Sequence, residues 1–111
     1  MSAERLWIVG AGRLGLALGL ALHRSGAFAS LAYSGRRAAP PPHPLFEGAS
    51  PSASYRMGLE VPHADVAGIV LAVPDAAIPA VAAALAELPQ APAVPVLHAS
   101  GALSVDALAP L

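Results

Sequence analysis

Leu6-Trp7-Ile8-Val9-Gly10-Ala11-Gly12-Arg13-Leu14-Gly15 is the stretch whose reading decides the fold. Four apolar residues suited to a strand run directly into G-x-G-x-x-G, the sequence form of a dinucleotide-binding turn. Gly10 lets a strand turn sharply, and Gly12 lacks the Cβ that would block the approach of a pyrophosphate. Gly15 lets the following helix pack tightly on the strand. The helix N-terminus then offers N–H groups and a partial positive charge to phosphates. Ala11, Arg13 and Leu14 fill the intervening positions, so residues 10–15 form the first block of candidate cofactor contacts.

Glycines at this spacing recur by chance in an Ala/Gly-rich chain, so their surroundings carry the argument. Leu14, Leu16, Ala17, Leu18, Leu20, Ala21 and Leu22 follow without a proline, and Ala and Leu are the strongest helix formers. Arg24-Ser25-Gly26 ends the segment, with a cation in the last turn and a glycine at the expected left-handed cap. The helix is apolar nearly all round, which predicts that it is sandwiched between the sheet and a second surface. A secretory signal is the competing reading. The glycines interrupt it, and His23-Arg24 stands where a cleavage site needs small residues.

The remaining strands and helices alternate. The sequence predicts a second strand over 28–33 and then a proline- and serine-rich loop over 38–54, holding at most a short turn around Leu45-Phe46-Glu47. A weak edge strand over 55–61 follows. Residues 67–73 are continuously apolar, as in a central parallel strand covered on both faces. A helix over 76–88 is expected next, with Asp75 as N-cap and Pro79 in its first turn, where a missing N–H costs little. Another buried strand is expected over 94–99, then a Ser100-Gly101 turn, and Ser104 is the expected cap of a last short helix. This order predicts an α/β fold, a doubly wound and mostly parallel sheet with helices on both faces.

At 111 residues the chain has the size of one domain. It is 56% hydrophobic and 12% charged, with mean hydropathy +0.62, which is apolar for a soluble domain. No apolar run reaches the roughly 18 residues of a membrane helix without a charge or glycine break. The excess therefore reads as surface meant for burial against a second copy, a homodimer, or against a further domain. The chain stops at Ala109-Pro110-Leu111 as a helix starts, and it reads as part of a longer protein. A net charge of -1 gives no basic footprint for nucleic acid. With no cysteine there are no disulfides or thiolate metal sites, which fits a cytoplasmic protein. His23, His43, His63 and His98 show no ligand spacing, so no metal is expected.

In an NAD-specific site an acidic residue lies about 20 residues beyond the glycines and binds the ribose hydroxyls. Here that neighbourhood is Ser34-Gly35-Arg36-Arg37, with no carboxylate. Two guanidiniums and a hydroxyl suit a 2′-phosphate, which points to NADP over NAD. The competing reading leaves Arg36 and Arg37 as solvated loop residues.

Four segments in order carry a family resemblance: the glycine turn, Ser34-Gly35-Arg36-Arg37, Leu71-Ala72-Val73-Pro74-Asp75-Ala76-Ala77-Ile78, and His98-Ala99-Ser100-Gly101-Ala102-Leu103. With them the chain resembles the N-terminal Rossmann-like domain of NADP-dependent oxidoreductases in the 6-phosphogluconate dehydrogenase-like superfamily. It is most similar to the group whose second half is a helical domain of unknown function. The resemblance covers nearly the whole chain and departs from the family at 38–54, where relatives carry a helix. It implies an NADP cofactor, and a C-terminal domain absent from this chain that supplies dimer contacts and much of the substrate pocket. It also implies that Val73-Pro74-Asp75 lies along the cofactor ribose and adenine, with the Asp75 side chain more readily read as a helix cap and the turn's backbone free to touch cofactor.

His98 and Ser100 flank the end of a strand where a nicotinamide and a substrate would meet. His98 is a candidate proton donor, and Ser100 a candidate catalytic or cofactor anchor. The more common roles of such residues are structural, a satisfied histidine and a turn serine. The leading expectation is an oxidoreductase domain that moves hydride to or from a small carbonyl or imine. A non-catalytic nucleotide-binding module and a deazaflavin-linked NADP reductase are the alternatives.

Overall fold

Leu6, Trp7, Ile8 and Val9 are all buried, as expected of a strand with neighbours on both sides and cover on both faces. The computed structural model describes residues 5–28, 30–48, 53–59, 66–88 and 96–98. Within them β1 (Arg5–Val9) leads to α1 (Arg13–Arg24), β2 (Ser30–Gly35), a 3-10 turn at Pro44–Phe46 and β3 (Ala53–Met57). Then come β4 (Val66–Leu71), a second 3-10 turn at Asp75–Ala77, α2 (Ile78–Ala86) and β5 (Val96–His98). The strands form one parallel sheet in the order β3-β2-β1-β4-β5. The chain winds outward from β1 to β3 and then returns to β4 on the other side of β1. A crevice opens at such a reversal, at the C-terminal ends of the strands.

Side chains alternate across the sheet with the strand period of two. Trp7, Val9, Ala32, Ile69 and Leu71 face one way and pack with Ile78, Ala82 and Leu85 of α2. Leu6, Ile8, Leu31, Tyr33 and Val70 face the other way, against Leu16, Leu18, Leu20 and Leu22 of α1 and Leu45 of the first 3-10 turn. Helices therefore cover both faces, and the fold is the doubly wound α/β architecture that the sequence predicts. Fully burying each large apolar side chain stabilises the fold by about 1.5–3 kcal/mol.

α1 can lie close to the sheet because Gly15 and Gly19 face it, and both are buried. A Cβ on Gly19 would collide with the Tyr33 hydroxyl and come within 3.1 Å of the Ile8 and Leu31 methyl groups. The Tyr33 hydroxyl donates to the Gly15 carbonyl at 2.8 Å. At the other end Gly26 has φ +78°, and Ala27 N–H returns to the Leu22 carbonyl at 3.2 Å, as the cap signal predicts. The expected second surface over α1 is not supplied by the described residues. Leu14 is 53% exposed, and Ala17 and Ala21 also face outward, so only one face of α1 is packed among the described residues. Alanine leaves little apolar area there, which makes an open outer face tolerable.

Several boundaries also move. β2 runs from Ser30 to Gly35, two residues later than expected, because Ser30 to Ser34 pair with β1 and Gly35 pairs with Met57 of β3. Arg5 Nε donates to Ser30 Oγ at 3.1 Å at one end, and Trp7 Nε1 to Ser34 Oγ at 2.8 Å at the other. The loop holds the short turn that was expected, but β3 begins at Ala53, inside the stretch read as loop. β4 stops at Leu71. Asp75 is not the N-cap of α2. Ala77 N–H closes back on the Pro74 carbonyl at 2.8 Å, and this 3-10 turn delays the α-helix, whose N-cap is Ala77 with no side-chain cap. Pro79 does fall in the first turn of α2, as expected. Ser104 and the last expected helix lie outside the described residues.

Burial pushes the Tyr33 phenol up from its ordinary 10.0 to about 12. Between those values the unfolded chain has lost the proton and the folded chain keeps it, so stability falls as pH rises from 10 to 12. The chain has no lysine and two tyrosines, which leaves this alkaline limb easy to read. Chemical denaturation from pH 9 to 12 is expected to show the decline. Tyr33→Phe should flatten it while costing about 1 kcal/mol at neutral pH through the lost hydrogen bond.

Candidate functional site

Three strands end side by side at the crevice, and their last backbone groups bind one another. Gly10 N–H donates to the Ser34 carbonyl at 2.7 Å, and Ala72 N–H donates to the Val9 carbonyl at 2.8 Å. The chain leaves β1 over this crest at Gly10, with φ +113°, a conformation that L side chains rarely adopt. A Cβ there would drive into the Ala72 carbonyl. Gly12 differs. Its φ of -83° is ordinary, and a Cβ would meet nothing within 4 Å. The space beside Gly12 is open toward the crevice, as the close approach of a ligand requires.

α1 begins immediately beyond, with Gly12 as N-cap, no side-chain cap and no acidic residue in its first turn. The first N–H groups of a helix have no intrahelical partner. Arg13, Leu14 and Gly15 supply those groups here. Arg13 and Leu14 are exposed, whereas Gly15 is buried, and a Cβ on it would strike the Gly10 carbonyl. Gly15 is therefore a packing residue of the turn, and its contribution to a ligand can come only from its backbone.

A cavity of about 470 Å³ occupies the crevice. That volume lies within the range of small-molecule sites. Gly10, Ala11 and Gly12 form its floor, Ser34, Gly35, Arg36 and Arg37 one side, and Ala72, Val73 and Pro74 the other. The structure thus gathers most of the residues singled out in the sequence. Arg36 and Arg37 are exposed, and among the described residues no carboxylate or side-chain acceptor engages either guanidinium. No described residue lining the cavity is acidic.

Ser34 requires a correction. It is 3% exposed, and its hydroxyl accepts from the Trp7 indole, so it faces the sheet interior toward α2. Its carbonyl accepts from Gly10. Ser34 shapes the crest, and the hydroxyl is committed to the core. Asp75 follows the cavity wall at the start of the second 3-10 turn, but its side chain lies outside what is described. His98 is the last residue of β5 and pairs with Leu71 in register, which sets its backbone at the same end of the sheet. Its side chain and all of Ser100 lie outside the described residues.

Sequence reasoning missed Tyr55, Gly58, Leu59, Ala39 and Pro41, which complete the lining. Tyr55 carries the most chemistry, since its hydroxyl donates to the Arg37 carbonyl at 2.7 Å. A tyrosine in an edge strand gives no local signal, because its partner lies 18 residues away. Among the described residues, no three His, Asp or Glu side chains gather as a metal would require, and no helix is long and apolar enough to cross a membrane.

The family model of the Rossmann-like domain matches residues 2–111, and the chain belongs to that family. No curated protein and no solved structure matches it. A nucleotide-binding fold is thus supported by the family, by the reversal in strand order and by the open space at Gly12.

The two glycines of the turn should respond oppositely to substitution. Gly10→Ala combines a strained φ with a backbone clash and is expected to cost roughly 2–5 kcal/mol. Gly12→Val enters open space and should leave stability within about 1 kcal/mol of the parent. Urea denaturation of the two variants measures the contrast.

Proposed function

We propose that this Rossmann-like chain is the NADP(H)-binding domain of an oxidoreductase. One observation carries the reading: two guanidiniums without a partner among the described residues, Arg36 and Arg37, stand on the cavity wall where an NAD-specific site places a carboxylate. Arginine binds phosphate through charge-assisted and often bidentate hydrogen bonds. With the Ser34 hydroxyl taken up by Trp7, recognition of a 2′-phosphate falls to these two side chains.

The rest of the lining fits the other parts of the same cofactor. The turn of Gly10, Ala11 and Gly12, with the first N–H groups of α1 at Arg13, Leu14 and Gly15, would take the pyrophosphate. Val73, Pro74 and Asp75, beyond β4, would follow the ribose. His98 and Ser100 remain the candidates beside the nicotinamide. When bound, the cofactor supplies hydride transfer to or from a small carbonyl or imine substrate, and the chain's own residues hold and orient it. Among the described lining residues, the hydroxyls of Ser34 and Tyr55 are both engaged with protein groups, and none is an acid, lysine or histidine. That observation favours one alternative, a nucleotide-binding module without its own turnover.

A symmetric dimer belongs to the same reading. Leu14 at 53% exposure, Met57 at 61% and Leu97 at 65% leave apolar surface on α1 and on both edge strands. Light scattering at micromolar concentration should give twice the chain mass, and a monomer would overturn this part.

Calorimetric titration tests the cofactor. NADPH is expected to bind more tightly than NADH. Replacing Arg36 and Arg37 together by Ala should weaken NADPH by roughly 2–4 kcal/mol and leave NADH nearly unchanged. Folded Gly12→Val should bind neither. Equal affinity of the parent for both cofactors would refute the assignment.

A further inference from the structure

Among its described residues the crossover from β2 to β3 contains no α-helix, yet it holds the arginine turn in place. Tyr33, on the α1 face of β2, donates to the Gly15 carbonyl at 2.8 Å. Phe46, in the Pro44–Phe46 turn, meets the Tyr33 ring edge-on at 5.2 Å and the Tyr55 ring edge-on at 6.0 Å. Such edge-to-face pairs are favourable beyond the area they bury. The Tyr55 hydroxyl then donates to the Arg37 carbonyl at 2.7 Å. One line of rings therefore connects the first turn of the glycine-rich helix to the turn that carries both arginines.

The same turn is held at a second point. Gly58 N–H donates to the Gly35 carbonyl at 2.8 Å, which extends the β2–β3 ladder past its last strand pair. The Tyr55 ring also occupies the space where a side chain at position 35 would lie. The guanidiniums themselves are exposed and unpaired among the described residues, so what orients them is the backbone from which they spring.

We propose that Tyr55 is a positioning residue for 2′-phosphate recognition. Its hydroxyl fixes the Arg36–Arg37 turn, and its ring, through Phe46 and Tyr33, registers that turn against the pyrophosphate-binding end of α1. The inference rests on the NADP reading above. Without the hydroxyl the turn keeps its Gly58 bond but loses its second anchor. The two arginines must then be ordered when the phosphate arrives, and that entropy is charged to NADPH and not to NADH.

The test is a calorimetric comparison of the full chain, Tyr55→Phe and the Arg36→Ala/Arg37→Ala double variant, each titrated with NADPH and with NADH. Tyr55→Phe keeps the ring and removes one exposed hydrogen bond, so the fold should persist. NADPH affinity is expected to fall about fivefold, the worth of one hydrogen bond, with NADH unchanged. In the background of the double variant, Tyr55→Phe should have no further effect. If Tyr55→Phe leaves NADPH unchanged, or weakens both cofactors equally, while the double variant selectively loses NADPH, the positioning role is overturned and the NADP reading stands. If the parent shows no preference for NADPH, that reading fails and takes this inference with it.

Discussion

The backbone crowding at the crest of the sheet is the constraint on which the remaining structure depends. Gly10 passes so close to the Ala72 carbonyl that a single carbon atom at Cβ has no place. That closeness follows from the hydrogen bonds that carry β1 into register with β2 on one side and β4 on the other. The left-handed φ at Gly10 then directs the chain up and over the sheet, and Gly15 seats the helix against the Gly10 carbonyl. The direction of α1, the open space at Gly12 and the position of the crevice all descend from this one close approach.

A doubly wound sheet of this size has little core to spare, and each face solves its packing differently. The face under α2 is filled by Trp7 and aliphatic side chains in contact with a short, alanine-rich helix. The face under α1 admits two glycines and compensates with Tyr33, which fills the gap over Gly19 and binds the helix backbone. On that face the Pro44–Phe46 turn does part of what a second crossover helix would do, contributing Leu45 to the core and Phe46 to the ring contacts. Prolines restrict the unfolded chain and lower the entropy lost on ordering such a segment.

The part of this that was legible in the sequence is the part with a local physical signature. A glycine turn between an apolar strand and a helix without proline is such a signature, and so is an apolar run ending in Val73-Pro74. The proline-rich crossover was also readable as a loop with a short turn. The missed features depend on pairing across distance. Ser34 looked like a hydroxyl for the cofactor's 2′-phosphate because nothing near it in sequence shows that the indole of Trp7, 27 residues earlier, needs an acceptor. Asp75 looked like a helix cap because aspartate favours that position, whereas the carbonyl of Pro74 had already drawn Ala77 into a tighter turn. Tyr55 and Gly19 became meaningful only once the sheet order brought them against Arg37 and Tyr33.

Trp7 is the single tryptophan of the chain, it has no solvent exposure, and its N–H is held by a residue on the cavity wall. The emission of an indole depends on the polarity and rigidity of its surroundings. The molecule thus carries an intrinsic optical reporter one hydrogen bond away from its crevice. A displacement of the crest too small to alter secondary structure would still change the light that this one side chain returns.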